Sequence, residues 1–382
     1  MDNNIIYTIK KSFITKFESE PLMIFSPGRI NIIGEHTDYN DGFVFPAAVD
    51  KGIVSAIGKS DSNSSIAFAA DKKETLEFNL NQIKPLAKGS WQNYILGVVA
   101  EIQNRSKTIG NFNIVFGGDI PGGAGMSSSA ALENSVVFGL NELFDLGLSK
   151  DDMILISQKA EHNYVGVKCG IMDQYASMFG IENHALLLDC RTVKSKPFKI
   201  DFKHYELILI NTNIKHSLSD SAYNDRRSVC ESIAKMLNVK ALRDASVYDL
   251  ETIKDQVTQV NYQKALYVIQ ENKRVVKASK AMQDGDLKTL GELIYASHNG
   301  LQNQYKVSCD ELDFLVEQAK TNPNILGARM MGGGFGGCTI NLISKTETSS
   351  FKAFISEAYK AKFNNACSIY SVKLSDGTHL IN

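Results

Sequence analysis

Residues 26–46 read SPGRINIIGEHTDYNDGFVFP and set Arg29, Glu35, His36, Asp38 and Asp41 between turn-forming glycines and two apolar flanks. Donors and acceptors of both charges crowd together where a strand gives way to a loop, which is where folds place polar ligands. Such a set could hydrogen-bond a polyhydroxylated molecule, since carboxylates accept, a guanidinium donates and an imidazole does either. A metal cluster is the weaker reading, because no second His or Cys lies at ligand spacing. As a bare EHTD tetrapeptide the run would equally suit a solvated turn, because turns favour Asp and Asn.

Three further runs carry chemistry. PGGAGMSSSAALE, residues 121–133, joins a predicted strand at 113–116 to a predicted helix from Ser128. Its glycines allow the main chain close to an anion, and the free N–H groups and dipole of a helix start attract one. A Walker loop would need a lysine before its last Ser/Thr, and a dinucleotide loop would need Gly-x-Gly-x-x-Gly, which breaks here at Ser128. Read from its residues alone, the run is either a phosphate cradle or a flexible turn capped by serine. GVKCGIMDQYAS, residues 166–177, sets Asp173 among small and apolar neighbours. There it is either a functional carboxylate or a first-turn residue favoured by a helix dipole. GARMMGGGFGGCTI, residues 327–340, gathers five glycines around Phe335 ahead of a strand and points to main-chain closeness near a ligand rather than to side-chain chemistry.

In this order the four runs resemble the motifs of the GHMP small-molecule kinases, the family named for galactokinase, homoserine kinase, mevalonate kinase and phosphomevalonate kinase. The first run is similar to the galactokinase signature of that family, and together the runs span most of the chain. The resemblance implies an α+β, two-lobed GHMP kinase fold, each lobe a mixed or antiparallel sheet covered by helices, with the active site in the cleft between lobes. It implies ATP as co-substrate, wrapped by Gly122, Gly123, Ala124, Gly125, Met126, Ser127, Ser128 and Ser129. Met126 stands where the family has Leu, and Met331 where many members have Thr; the first swap conserves volume.

The resemblance also implies Mg²⁺ on Ser129 and Glu161. A serine hydroxyl is one weak neutral oxygen, so the ion needs a carboxylate and the phosphates as well; without the resemblance Glu161 is a charge on a helix surface. Asp173 would be the general base facing the C1 hydroxyl of galactose, with Arg29 beside it. Glu35, His36, Thr37, Asp38 and Tyr223 would hold the sugar together with Asp173, Asp38 reading the C3 and C4 hydroxyls. An arginine in contact lowers a carboxylate pKa by about 1–3 units, which makes a poor base. A loose phosphoryl-transfer transition state relieves the conflict, because the proton then moves late.

The implied activity is galactose phosphorylation at C1, with galactose and ATP as partners. An N-acetylgalactosamine kinase would share all four runs, whereas homoserine and mevalonate kinases share the ATP loop without EHTD. Non-enzymatic galactose sensors lack the Ser-Ala pair that this chain keeps as Ser129 and Ala130.

Positioning these groups takes a sizeable framework. The chain has 382 residues, enough for two lobes, which are expected at 1–195 and 196–382, the second carrying the glycine run 332–337. Apolar or alternating runs predict strands at 44–49, 53–57, 66–69, 112–116, 185–188 and 206–210, and helices at 91–104, 128–144 and 151–164. Helices follow at 221–238, 261–283, 286–303, 309–320 and 349–363, with strands at 338–343 and 367–373. Trp91 and Tyr94 share a predicted helix face, as core or as a wall of the adenine pocket.

With 41 basic and 42 acidic side chains the formal charge is −1, so no field recruits nucleic acid or an anionic membrane. The first residues lack the order of an export signal and no apolar run has the length of a membrane span, which predicts a cytoplasmic protein. Six scattered cysteines are expected as free thiols. A monomer or weak oligomer is expected.

Overall fold

The computed structural model describes residues 2–87, 89–215 and 219–381. Its strands are β1 (Leu22–Asn31), β2 (Phe43–Val44), β3 (Pro46–Lys59), β4 (Ser65–Ala69), β5 (Glu74–Phe78), β6 (Phe112–Gly118), β7 (His184–Asp189), β8 (Lys194–Lys199), β9 (Tyr205–Lys215), β10 (Ile325–Met330), β11 (Gly336–Ser344), β12 (Ser368–Ser371) and β13 (His379–Leu380). Its helices are α1 (Asn3–Phe17), α2 (Gln92–Asn104), α3 (Ser128–Phe144), α4 (Lys150–Ala160), α5 (Met172–Phe179), α6 (Ser219–Met236), α7 (Val247–Glu251), α8 (Gln259–Asp284), α9 (Leu287–Gly300), α10 (Asp310–Lys320) and α11 (Thr348–Phe363).

One sheet runs β13-β1-β3-β6-β4-β5 and is mixed, since β4 pairs parallel with β6 while its other pairs are antiparallel. A second, β10-β11-β9-β12, is antiparallel throughout. A small antiparallel sheet, β2-β7-β8, completes the set. Side chains alternate across a strand. On β6, Phe112, Ile114 and Phe116 therefore join the core under α2, α3 and α4, and Val115 meets Ile9 and Phe13 of α1 on the other face.

On β9 both faces are buried, which explains its unbroken apolar run. Ile208 and Ile210 pack against α10 and α11, while Leu207 and Leu209 enter a cluster shared with Ile30, Ile32, Phe45 and Met126 from the first part of the chain. The last strand, β13, returns to pair with β1. This is the mixed helix-and-sheet architecture expected from the four motifs.

Several elements depart from expectation, among them the following. The strands predicted at 44–49 and 53–57 are largely one, β3, because its central charges are satisfied without a break. Asp50 exchanges hydrogen bonds with the Lys373 main chain at 2.8 and 3.0 Å, and Lys51 meets Asp119 at 3.3 Å. Helix α1 was not expected. Its N-cap Asp2 accepts from Asn4 N–H at 2.9 Å, and its apolar stripe buries Ile9 and Phe13. The helices predicted at 151–164 and 286–303 instead end as α4 and α9, each continued by a wider π-turn, over Glu161–Val165 and Leu301–Tyr305. Such turns recur at functional sites.

Candidate active site

The sugar-like run, the loop at 332–333 and the start of α5 converge on one cavity, lined by Arg29, Glu35, His36, Asp38, Cys169, Met172, Asp173, Tyr223, Gly332 and Gly333. Residues predicted from four separate stretches thus meet. Arg29 lies on β1 beside a register shift between Pro27 and Arg29. Its Nε and Nη2 both donate to Asp173 Oδ1 at 2.8 Å, and Nη1 donates to the Gly125 carbonyl. Burial works against the Arg29 charge, but Asp173, Glu35 and Asp38 outweigh it and raise its pKa further. Asp173 keeps 26% of its side chain exposed against 4% for Arg29, so the carboxylate retains access to a ligand.

Glu35 is tied from one side. Its Oε1 accepts from Gly332 N–H at 2.8 Å and from Arg329 Nη2 at 3.1 Å. Arg329 is fully buried and also donates to the carbonyls of Ile32, Asn31 and Met330. His36 adopts a left-handed backbone, φ 63°, unusual for a residue with a side chain. Its Nδ1 pairs with Tyr39 Oη at 2.8 Å, Tyr39 pairs with Tyr305 Oη at 2.8 Å, and Nε2 has no hydrogen-bond partner. Burial, then Arg226, push its pKa down to about 3, so the ring is neutral and free to donate or accept.

Asp38 is 9% exposed, and burial followed by the Asp173 charge raises its pKa to about 7. It fits only because position 170 is glycine, where a Cβ would come within 2.0 Å of Asp38 Oδ2. Tyr223 packs its ring 5.4 Å from His36 and 5.1 Å from Tyr39. Thr37 is not brought to the cavity. Its hydroxyl is spent on the carbonyls of Gly34 at 2.9 Å and Phe43 at 2.7 Å, holding the loop shut. Asp41 likewise turns away, to Arg191 at 3.1 Å.

The run at 121–129 forms the wall next to the Arg29–Asp173 pair. Ala124 and Met126 are each 1% exposed and plug the loop into the core, while Gly123, Gly125 and Ser127 take positive φ. Over residues 122–126 only main chain is left facing outward. Gly125 could not be replaced freely, since at φ 67° its Cβ would sit 3.1 Å from the Met331 carbonyl. Ser128 and Ser129 open α3, whose N-terminus has no side-chain cap bond and so leaves N–H groups for an anion.

Ser129 and Glu133 are one turn apart on α3 and share a face. Glu133 is fully buried with Oε1 unpartnered, and burial followed by Glu161 pushes its pKa well up. Serine and carboxylate oxygens are the hard donors that Mg²⁺ takes, and Glu161 lies near enough to Glu133 to act on its charge. Among the described residues there is no group of three or more His, Cys, Asp or Glu that could hold a metal ion. Trp91 and Tyr94 are both half-buried; Trp91 Nε1 donates to Glu74 at 2.6 Å and its ring meets Phe116 at 5.3 Å.

The sequence matches the GHMP kinases N terminal domain over residues 93–181 and the GHMP kinases C terminal family over residues 278–361. Residues 11–59 match the galactokinase galactose-binding signature. A protein named galactokinase from Thermotoga petrophila is 40% identical over 356 residues, covering 93% of this chain and 99% of that protein. The chain belongs to the galactokinase family of the GHMP kinases. Another member, from Clostridium beijerinckii, is 39% identical over 98% of this chain and 99% of its own length.

Among solved structures, Lactococcus lactis galactokinase complexed with galactose superimposes with a TM-score of 0.93 at 33% identity, covering 97% of this chain and 98% of that one. Methanococcus jannaschii mevalonate kinase shares the fold, with a TM-score of 0.67 at 16% identity over 94% of this chain and 99% of that one.

Several residues of the site escaped sequence reasoning. Arg329 lies inside the glycine-rich run, which was read as main-chain closeness only; its buried guanidinium instead pairs with Glu35 across 294 residues. Tyr39, inside the first run, and Tyr305 orient His36, and Tyr267 Oη donates to the Glu35 carbonyl at 2.9 Å. Cys169 and Met172, adjacent to Asp173 in the third run, complete the wall. A clue was present for Tyr39, Cys169, Met172 and Arg329, which lie inside the quoted runs, whereas Tyr267 and Tyr305 lie outside all four.

Proposed function

We propose that this chain transfers the γ-phosphoryl group of ATP to the C1 hydroxyl of α-D-galactose, giving α-D-galactose 1-phosphate and ADP. The observation that carries this reading is the bridge at Arg29, which holds Asp173 at the cavity and the Gly125 carbonyl of the phosphate loop with one guanidinium. A sugar hydroxyl over Asp173 would therefore face a phosphoryl group on the loop.

In this reading Asp38, His36, Glu35 and Tyr223 bind the sugar, with the second Glu35 oxygen left for a hydroxyl. Asp173 takes the C1 proton late in the transfer, and Arg29 holds that carboxylate in place while stabilising charge on the moving phosphoryl group. The loop 122–129 binds the triphosphate through main-chain N–H groups. Mg²⁺ would arrive with ATP, its protein ligands Ser129 and Glu161, and would neutralise charge between the phosphates. Trp91 and Tyr94 are candidates for the adenine wall. Thr37 acts on the sugar site by fixing the loop, not by contact.

The lobes would divide near residue 195, with a core cluster shared between them and β13 returning to the first sheet. A cytoplasmic monomer or weak oligomer fits an enzyme of two diffusible substrates, and among the described residues no helix is long and apolar enough to cross a membrane. The test is an acceptor panel of galactose, glucose, N-acetylgalactosamine, mevalonate and homoserine with ATP and Mg²⁺. Galactose should release ADP fastest; preference for another acceptor overturns the substrate assignment.

A further inference from the structure

The phosphate loop carries, at Ser127, a side chain that a main-chain cradle does not use. Ser127 is the N-cap of α3, yet it has a left-handed backbone, φ 54° and ψ 59°, and makes no side-chain cap bond. An N-cap serine ordinarily has an extended backbone and accepts from the helix N–H groups. Here Oγ donates instead to Asp173 Oδ2 at 2.5 Å, 46 residues away in sequence. Positive φ recurs at residues 123, 125 and 127; the first two are glycine, for which such a backbone carries no penalty, and only the third has a side chain. A turn of this geometry would favour glycine at 127, so the hydroxyl is the reason to expect serine.

The two oxygens of Asp173 are thereby separated in role. Oδ1 takes both Arg29 donors at 2.8 Å. Oδ2 takes Ser127 on one lone pair and has the other left for an incoming hydroxyl. We propose that Ser127 is a positioning residue for Asp173: its hydroxyl fixes the rotation of the carboxylate and aims the free lone pair of Oδ2 at the sugar. Because Ser127 belongs to the phosphate loop, the same bond ties the orientation of the base to the geometry of the loop that holds the nucleotide. The inference rests on the reading of Asp173 as the base.

Ser127→Gly and Ser127→Ala test it. Both should lower kcat about 10- to 100-fold, the worth of one hydrogen bond to a charged group, with the KM for ATP within about threefold because the main-chain cradle remains. Ser127→Gly relieves the left-handed strain and should melt no lower than the parent, so its loss of rate is not a loss of fold. A hydrogen bond to the ionised form lowers an acid's pKa, so removing it moves the acid limb of kcat/KM to higher pH.

The charged and titratable groups around Asp173 are Arg29, Asp38, Glu133, Cys169 and Tyr223, and all are retained in both variants and the parent, so the shift between them reports the lost bond. Asp173→Asn is measured alongside, and adding Ser127→Gly to it should cost nothing further.

Parental kcat with an unmoved limb in both Ser127 variants overturns the proposal, while an inactive Asp173→Asn leaves the base reading standing. A raised ATP KM with an unmoved limb overturns it in favour of a nucleotide contact. Parental turnover in Asp173→Asn overturns both readings.

Discussion

The sugar-reading segment and the phosphate loop lie on either side of Arg29, and they are built on opposite principles. In the first, identity resides in side chains: Glu35, His36 and Asp38 are buried, and each is held by a partner or left with one free polar face. In the second, residues 121–127 carry no ionisable side chain; Ala124 and Met126 point into the core and the space beyond Gly122 and Gly123 is open. One region recognises by which groups it presents, the other by how closely its main chain can be approached. The first should therefore be sensitive to chemistry at constant shape, and the second to shape at constant chemistry.

Asp173 is where the two regions meet, and it should show the largest effect. Asp173→Asn conserves shape and removes the charge, so turnover is expected to fall by about 10²–10⁴ while ATP and galactose still bind. Steady-state ADP release together with calorimetric titration of each ligand separates the two. Loss of sugar binding in step with turnover would show that Asp173 acts as a ligand, not as a base.

The converse change on the loop is Gly125→Val. It adds no polar group, but it forces a β-branched residue to φ 67° and towards the Met331 carbonyl. Such strain costs about 1–3 kcal/mol, and a loop that relaxes to relieve it no longer presents its N–H groups. The KM for ATP should rise about tenfold or more while galactose binding, measured without nucleotide, changes little. An unchanged ATP KM would remove the main-chain account of the loop.

Asp38 sharpens the comparison through pH. Sugar hydroxyls donate to a carboxylate, so binding should favour the ionised form of a group whose pKa burial and Asp173 have raised to about 7. Galactose affinity is then expected to tighten as pH rises through about 7 and to level off above it, with a proton released on binding. Titration in buffers of different ionisation enthalpy measures that proton. In the free protein the sign is reversed: the raised pKa contributes stability that is fully present below the ordinary carboxylate range and is lost as pH rises through about 7. Asp38→Asn should flatten both dependences, and a proton released undiminished in that variant would assign the titration elsewhere.

The contrast also explains how much of the molecule its sequence disclosed. Arg29, Glu35, His36, Asp38 and Asp173 were legible because they sit in runs that resemble the motifs of a known family; their setting among glycines and apolar residues alone left a solvated turn or a helix start equally open. Thr37 looked like one of them, but a hydroxyl is as readily used on a nearby carbonyl as on a ligand, and only the loop's closure onto Gly34 and Phe43 decides which. Arg329 was hidden because its meaning lies in Glu35, 294 residues away, and no local pattern records that pairing. Tyr305 reaches the site through a π-turn after α9, a widening that a helical period cannot foretell. Strands β4, β6, β7, β9, β11 and β12 followed from apolar or alternating runs, whereas β3 was divided in expectation because Asp50 and Lys51 look like a turn until Lys373 and Asp119 arrive to meet them.

The smallest expected effect comes from Met126→Leu. Met126 is inside the phosphate loop by sequence but belongs to the core by packing, beside Ile30, Ala124 and Met331. What the loop needs from this residue is its carbonyl, which accepts from the Arg29 N–H at 3.1 Å, and that group is common to every side chain. A volume-conserving swap should change stability by less than about 1.5 kcal/mol, with kcat and the KM for ATP as in the parent. Thermal melting beside initial-rate kinetics is sufficient to check this. If ATP binding weakened while the melting temperature held, the loop would be reading its ligand through a side chain after all, and the division between a region of groups and a region of shape would fail at its most buried residue.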